Sequence, residues 1–475
     1  MEININPSNI IGFDPAEYEN FNKLIDLFNA HSSKNEEKNR YYEGHISVGE
    51  VNLGIALPKK LGNLEIGCAW GAKTVDVLAS RSMFDGFVGV NGSNVSELDE
   101  LTIANNLLAE YLLACRDELK YGCTFATLTA DPKIKCRISF HSPQTAAALW
   151  DGEKKRIQCG FAIIDQKKDN NDQLYTPKLL NYYTDDAIWV IRFDGTDWRA
   201  EKHPHKLGRP MMEPLIWNAT SNKPFGRSRI KEPIRNLIDG YIRTIANATI
   251  GLEFATSPQK YLLGVSDDQY DAIINDKFKQ YVGSIITSTV NPDTGEKPTF
   301  GQLQQGNISP HVEMLRILAT QFSAATGLTV TDTGVVNDAN PTSSDAILAQ
   351  SQTLVAMAEQ LNIGNGYALR TIAQMALAVA HNVKLEDLEE DEKDIIAHFK
   401  NPAMPSVAIT TDAAIKISSA RPSFANTDTF LEMIGFDQAE IRRIKNQEQR
   451  ERGMFLLEQT ENNIQAQEAK KLSEE

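Results

Sequence analysis

Positive charge is scarce in this chain. Its 475 residues carry 48 Lys and Arg against 63 Asp and Glu, a net charge of −15. A protein that grips nucleic acid needs a basic footprint to hold phosphates, and the chain as a whole lacks one. Long apolar runs are missing too: none reaches 18 residues, so no membrane-spanning helix is expected. The opening MEININPSNIIGFDP has no basic stretch and does not look like a secretory signal. Cysteine is sparse and badly spaced for pairing. Cys68, Cys115, Cys123, Cys136 and Cys159 make an odd set with no CxxC, which speaks against a disulfide framework or a zinc ribbon and for buried free thiols. The local signatures of enzymes are absent as well. There is no GxxxxGK[ST], no GxGxxG after a strand, no HExxH, no GxSxG and no EF-hand loop. His203 and His205 bracket Pro204 in what reads as a loop. The adjacent acids Asp185-Asp186 and Asp267-Asp268 would point to opposite sides of their elements. No enzyme, metal site or cofactor is expected.

What is present is an ordinary globular composition, 41% hydrophobic and 23% charged. At this length two to four packing units are expected. The first 130 residues read as mostly helical. Phe21, Leu24, Ile25 and Phe28 give a helix over 18–30, Val75, Leu78 and Ala79 another over 72–81, and a third spans 96–121 with Gly122 as its stop. The period then changes. Runs at 134–140, 158–164, 178–184 and 187–193 predict strands, and Asp194-Gly195-Thr196 a hairpin turn.

Helix returns at Ile230. Ile230, Ile234, Leu237, Tyr241, Ile245 and Leu252 form one stripe on a helix of about 25 residues. A small α/β insert fills 258–309, with a turn at 291–295. Ser309 as N-cap and Pro310 open a second helix with Val312, Leu315, Ala319 and Phe322 on a face, and Gly327 stops it. Residues 328–341 have no helical period and no Lys or Arg, so they cannot clamp phosphates. Thr342 with Asp345 reads as a capping box opening a long helix to about 381, with a kink expected at Gly364 and Gly366. An acidic run from Glu386 to Asp394, a short strand at 407–410, helices at 428–434 and 437–449 and a frayed tail complete the chain. Two places could suggest DNA contact: six cations between Lys223 and Arg243 (Lys223, Arg227, Arg229, Lys231, Arg235, Arg243), where an ordinary solvated helix start fits as well, and Phe430–Ile444, where Gly435 separates two helices as in a helix-turn-helix but any αα-hairpin with a Gly turn also matches. The fold class is α+β.

Several short motifs recur in a fixed order. They are Tyr41-Tyr42-Glu43-Gly44, Leu57-Pro58, Trp70 with Val75-Asp76 and Arg81, Gly86-Phe87, Asn106, Tyr121-Gly122, Ser142-Pro143, Gly208-Arg209-Pro210, Asn218, Gly226-Arg227-Ser228 and Ser344-Asp345-Ala346-Ile347. Over residues 41–350 their order and spacing resemble the portal proteins of siphophages, tailed phages with double-stranded DNA. That resemblance implies a portal-type architecture. It would place a wing at 1–229 with a β insertion at 130–200, stem helices at 230–257 and 310–327 around a clip at 258–309, a tunnel loop at 328–341, a spine helix at 342–382, a crown at 383–450 and a flexible tail at 451–475.

The resemblance also implies roles. Thr329, Val330, Thr331, Asp332, Thr333, Gly334, Val335, Val336 and Asn337 would line a DNA channel. Ile234, Leu237, Tyr241 and Ile245 would pack against a neighbouring subunit. Asn291, Pro292, Asp293, Thr294 and Gly295 would form a clip tip that docks terminase and then an adaptor. The expected partners are copies of the chain in a ring of twelve, with duplex DNA passing through without sequence preference. The terminase large subunit, a head-completion adaptor and the major capsid or scaffolding protein complete the set, with no membrane. The protein would reside at the portal vertex of the virion after assembly in the host cytoplasm. The alternatives are another phage head structural or head-completion protein, and more remotely a nucleic-acid-processing hydrolase. Small adaptors lack a helix–insert–helix, and a hydrolase needs clustered acids around a metal.

Overall fold

A computed structural model describes residues 3–46, 66–89, 96–168, 175–256, 260–274, 290–292, 294–302, 307–334, 344–403, 407–436 and 438–474. The chain divides into two compact units, and both are discontinuous in sequence. The first comprises Met1–Asn35, Asp76–Ser228 and Ser351–Glu475, the second Glu36–Val75 and Arg229–Gln350.

The first unit is built on strands β1 (Ile10–Ile11), β2 (Phe84–Gly89), β3 (Cys123–Asp131), β4 (Lys135–His141), β5 (Ala146–Asp151), β6 (Arg156–Lys168), β7 (Tyr175–Tyr183), β8 (Ala187–Phe193), β9 (Trp198–Pro204) and β10 (Met212–Ile216). Six of them form a sheet in the order β1-β9-β8-β7-β6-β5, antiparallel except for the parallel β1–β9 pair. Alternate residues of this sheet share one face: Cys159, Phe161 and Ile163 on β6, Leu180 and Tyr182 on β7, Trp189 and Ile191 on β8. The helix Tyr18–Glu43 covers that face with Phe21, Leu24, Ile25 and Phe28, whose spacing is one helical stripe. Phe13 meets Phe21, Tyr182 and Trp189 edge-on at 5.3, 5.8 and 5.2 Å. Full burial of each such side chain contributes about 1.5–3 kcal/mol.

A three-stranded sheet, β10-β3-β4, carries the helix Leu107–Tyr121, which buries Tyr111, Ala114, Cys115 and Leu119. The β region therefore runs from Cys123 to Ile216, wider than the expected 130–200. The single helix expected over 96–121 is two, Ser96–Ala104 and Leu107–Tyr121, because Asn106 sits in the left-handed region at φ 49°. Gly122 stops the second at φ 112°, as its lack of a Cβ allows.

The long helix Ser344–His381 is assigned without a break through Gly364 and Gly366. A Cβ on Gly366 would lie 3.7 Å from the Phe399 ring, an ordinary contact distance. Thr342 and its capping box lie outside the described residues. The strand expected at 407–410 is the start of a helix, Val407–Ala420. A four-residue run with three β-branched side chains has no decisive period, and Ala413 and Ala414 continue the helix after it. The strand of this region is β13 (Ile395–Phe399), antiparallel to β2. The helix Asp428–Ile434 stands where expected. The next begins at Gln438 and is helical to Glu474, over most of the segment 451–475 expected as a flexible tail.

In the second unit the helices Glu232–Thr256 and Ser309–Thr326 pack together around an insert with β11 (Lys260–Leu263) paired to β12 (Thr299–Gln302), and the helix Asp267–Ile274. The first of these helices buries Ile234, Ile238, Ile242 and Ala246, with Ile230 buried just before it, and the second buries Leu318, Ala319 and Phe322. The sequence stripe had drifted one position round the helix, which is why Ile238 and Ile242 were missed. Ser309 is the first helical residue and not the cap. Its N–H is met by Asn307 Oδ1 at 2.9 Å, while Pro310 sits in the first turn as expected. All five cysteines are buried thiols, with no disulfide among them. Burial pushes the thiols up, Cys68 to about 11 and Cys136 and Cys159 to about 12, so they are poor nucleophiles. Among the described residues no helix is long and apolar enough to cross a membrane.

Candidate functional site: a helix pair and the turn that follows it

The second unit gathers the residues singled out by sequence, and its centre is Trp70. This side chain is buried at the start of the helix Trp70–Ala79. Its ring stacks on Phe322 at 4.5 Å and lies 4.7 Å from Tyr241. Its Nε1–H donates to the carbonyl of Thr333 at 3.1 Å. One indole thus touches both long helices and the turn beyond them. Gly71, next in sequence, is required by packing, since a Cβ there would lie 1.9 Å from the Tyr41 carbonyl oxygen.

Arg229 is the second fixed point. It is buried, and its guanidinium donates to the carbonyls of Thr74 (2.6 Å) and Thr326 (2.7 Å). Thr326 closes the helix Ser309–Thr326, where unpaired carbonyls and the helix dipole favour a cation. Burial brings the arginine down to about 10, and it stays charged at neutral pH. Arg235 lies 3.6 Å from Glu37 and over the Tyr41 ring, and the Tyr41 hydroxyl donates to Asp239 at 2.9 Å. Two cations of the cluster between 223 and 243 are therefore committed to internal structure.

The turn after Gly327 (φ 75°) is built, at least in its first half. Leu328 is buried, and Val330–Thr333 forms a 3-10 helix. Thr329 and Asp332 cap one another: Thr329 Oγ1 accepts from the Asp332 N–H at 3.3 Å, and Asp332 Oδ2 accepts from the Thr329 N–H at 2.9 Å. Thr333 is buried and Gly334 exposed at φ 78°. Val330 and Asp332 are half-buried, and Thr331 is exposed. Val335, Val336 and Asn337 lie outside the described residues.

The four stem residues do not share one environment. Ile234 is buried inside its own unit, and Tyr241 is half-buried against Trp70. Leu237 and Ile245 are half-exposed. Sequence periodicity missed Met314 and Ile317, and it placed Val312 on the packed face. All three are exposed, as is Leu252. At the insert, Asn291 is buried, its side-chain amide donating to Gly264 O at 3.1 Å and its N–H to Glu296 O at 2.9 Å. Pro292, Thr294 and Gly295 are exposed, and Asp293 lies outside the described residues.

Residues 22–454 match the family described as phage portal protein, SPP1 Gp6-like. The chain belongs to this family of phage portal proteins, and its function is that of a phage portal. No curated protein matches it. Among solved structures it is similar to a chain in the virion of the native gene transfer agent (GTA) particle, with 11% identity and a TM-score of 0.44 over 77% of this chain and 89% of that one. A chain in the neck of the native GTA particle computed with C12 symmetry gives 12% and 0.44 over the same shares. One in the neck of the empty GTA particle computed with C6 symmetry gives 12% and 0.43 over 79% and 89%.

Proposed function

We propose that copies of this chain close into a ring, a dodecamer, around a channel at one vertex of the capsid, and that duplex DNA passes through it during packaging and ejection. The observation that carries this is the construction of the second unit in a chain of the portal family: two long helices around a small insert, followed by a turn bonded to Trp70. In portal terms these are stem, clip and tunnel loop. The β-rich part of the first unit is the wing, Ser344–His381 the spine and the segments after it the crown.

The details support that assignment. Leu237, Leu252, Val312, Met314 and Ile317 are apolar side chains that one unit leaves wholly or partly in water, and a neighbouring subunit would cover them. The subunit contact expected at Ile234, Leu237, Tyr241 and Ile245 narrows to Leu237 and Ile245, because the other two already pack internally. The segment 328–341 has no Lys or Arg, so a ring of such loops would guide DNA by steric contact without holding phosphates. The acidic chain repels the backbone and keeps the duplex moving. The exposed tip Pro292, Thr294 and Gly295 would meet the terminase large subunit and then a head-completion adaptor. The rest of the surface would meet the major capsid or scaffolding protein in the virion. The protein makes and breaks no bonds in this role.

Imaging of the purified protein in negative stain tests the proposal. Rings with a central hole are expected from the wild type. The double variant Leu237→Asp/Met314→Asp is expected to sediment as monomers with unchanged helical circular dichroism. A wild type that stays monomeric at all concentrations would overturn the ring, and intact rings from the double variant would overturn the assignment of its interface.

A further inference from the structure

Outside the helix pair, one cluster of side chains in the first unit has no part in the portal assignment. Glu97 lies in the first turn of the helix Ser96–Ala104, His381 is the last residue of Ser344–His381, and Glu392 belongs to the short helix Glu390–Lys393. The imidazole stands between the two carboxylates. Its Nε2 is 2.7 Å from Glu97 Oε2, and its Nδ1 is 3.5 Å from Glu392 Oε1. One ligand atom from each of the three lies within 4.8 Å of the others. A cation held at about 2.0–2.2 Å would draw these donors closer together than that limit, a small movement for side chains that reach the site from helix ends.

Each carboxylate is also oriented from behind. Glu97 Oε1 accepts from the Lys135 ammonium at 2.6 Å, and Glu392 Oε2 accepts from the Glu389 N–H at 3.0 Å. The remaining oxygen of each is the one turned to the imidazole. Partners of this kind, which fix one oxygen and aim the other, are typical of the shell behind metal ligands. The stretch 385–394 adds field to geometry, with seven acids and a single Lys.

We propose that Glu97, His381 and Glu392 bind one first-row divalent cation of the Zn2+ class through one imidazole nitrogen and one oxygen from each carboxylate. The imidazole favours such an ion over Mg2+ or Ca2+, which take all-oxygen sets. Three protein ligands leave a further position to water. The ion joins three segments, two of them separated by 284 positions in sequence, and clasps the helix Ser96–Ala104 to the chain that follows the long helix. Because the folded form alone assembles the trio, stability rises with free cation. This is independent of the ring and its channel.

Calorimetric titration of the chelator-treated full chain with ZnCl2, and separately with MgCl2, tests it. Saturable uptake of one Zn2+ per chain is expected, with no comparable heat from Mg2+. Both His381→Ala and Glu392→Gln should weaken Zn2+ by about 10-fold or more, while Glu386→Gln, an exposed acid of the same run, should leave it unchanged. Zn2+ should raise the Tm of the wild type and fail to raise that of Glu392→Gln, a near-isosteric change that keeps the fold. No saturable uptake, or equal uptake by wild type, His381→Ala and Glu392→Gln, would overturn the site and leave an ion-pair cluster.

Discussion

Replacing Trp70 by Phe separates the two things this residue does. Phe keeps an aromatic ring against Phe322 and Tyr241 but has no N–H for the Thr333 carbonyl. That carbonyl is one of the points that fasten the turn 329–334, and the bond is buried. Leaving a buried acceptor without its donor costs about 1–3 kcal/mol, roughly 5- to 150-fold in an equilibrium. The cost should fall on local opening of the turn. Hydrogen exchange reads this directly, because the N–H groups of Asp332 and Gly334 are bonded within the turn, to Thr329 O and Thr331 O. In Trp70→Phe their exchange should speed up within that range, while amides in the middle of Glu232–Thr256 stay protected. Trp70→Ala, which also loses the stacking, should destabilise the unit by about 3–5 kcal/mol. If the loop meets DNA by steric contact as proposed, Trp70→Phe rings should form normally and hold packaged DNA less well. Unchanged exchange at Asp332 and Gly334 in Trp70→Phe would refute the tether, whatever happens to packaging.

Other substitutions follow from the same contacts. Arg229→Met strands the carbonyls of Thr74 and Thr326 and should cost about 3 kcal/mol, seen as a lowered urea midpoint. Gly71→Ala drives a Cβ into the Tyr41 carbonyl and should cost about 3 kcal/mol or yield insoluble protein, whereas Gly67→Ala, with open space around it, should stay within about 0.5 kcal/mol of the wild type in the same urea titration. Glu118 is fully buried between Leu107–Tyr121 and the long helix, accepting from Asn365 at 2.7 Å, and burial pushes its carboxyl up from 4.5 to about 8. In the folded state it keeps its proton where the unfolded chain has lost it, so its contribution to stability falls as pH rises from about 4.5 to about 8. Glu118→Gln should remove that slope, leaving the Tm near pH 5 little changed and raising it relative to wild type at pH 8 to 9. A parallel Tm profile for the two proteins would count against a neutral buried acid.

The elements with strong local signals were legible in the sequence. Phe21, Leu24, Ile25 and Phe28 declare a helix face by spacing, Gly122 and Gly327 mark stops that need a left-handed residue, and alternation finds β6, β7 and β8. These depend on residues within a turn or two of each other, and chain order carries that information. The helix–insert–helix was readable for the same reason. The tertiary structure decided the rest. The buried stripe of Glu232–Thr256 runs through Ile238 and Ile242, which spacing alone did not single out. A helix with apolar residues on more than one side cannot choose its core face alone. The strand Ile395–Phe399 exists because β2, some 300 residues earlier, supplies its backbone partners. Gly364 and Gly366 suggested a break, yet the helix is unbroken there, with Gly366 close to Phe399 and Asn365 between them bonded to Tyr111 and Glu118. Trp70 and Arg229 stood out in the sequence, but their partners did not, and the Glu97–His381–Glu392 trio gave no local signal at all. Their partners lie from 11 to 284 residues away, and only the folded chain brings a donor on one segment to a carbonyl or carboxylate on another.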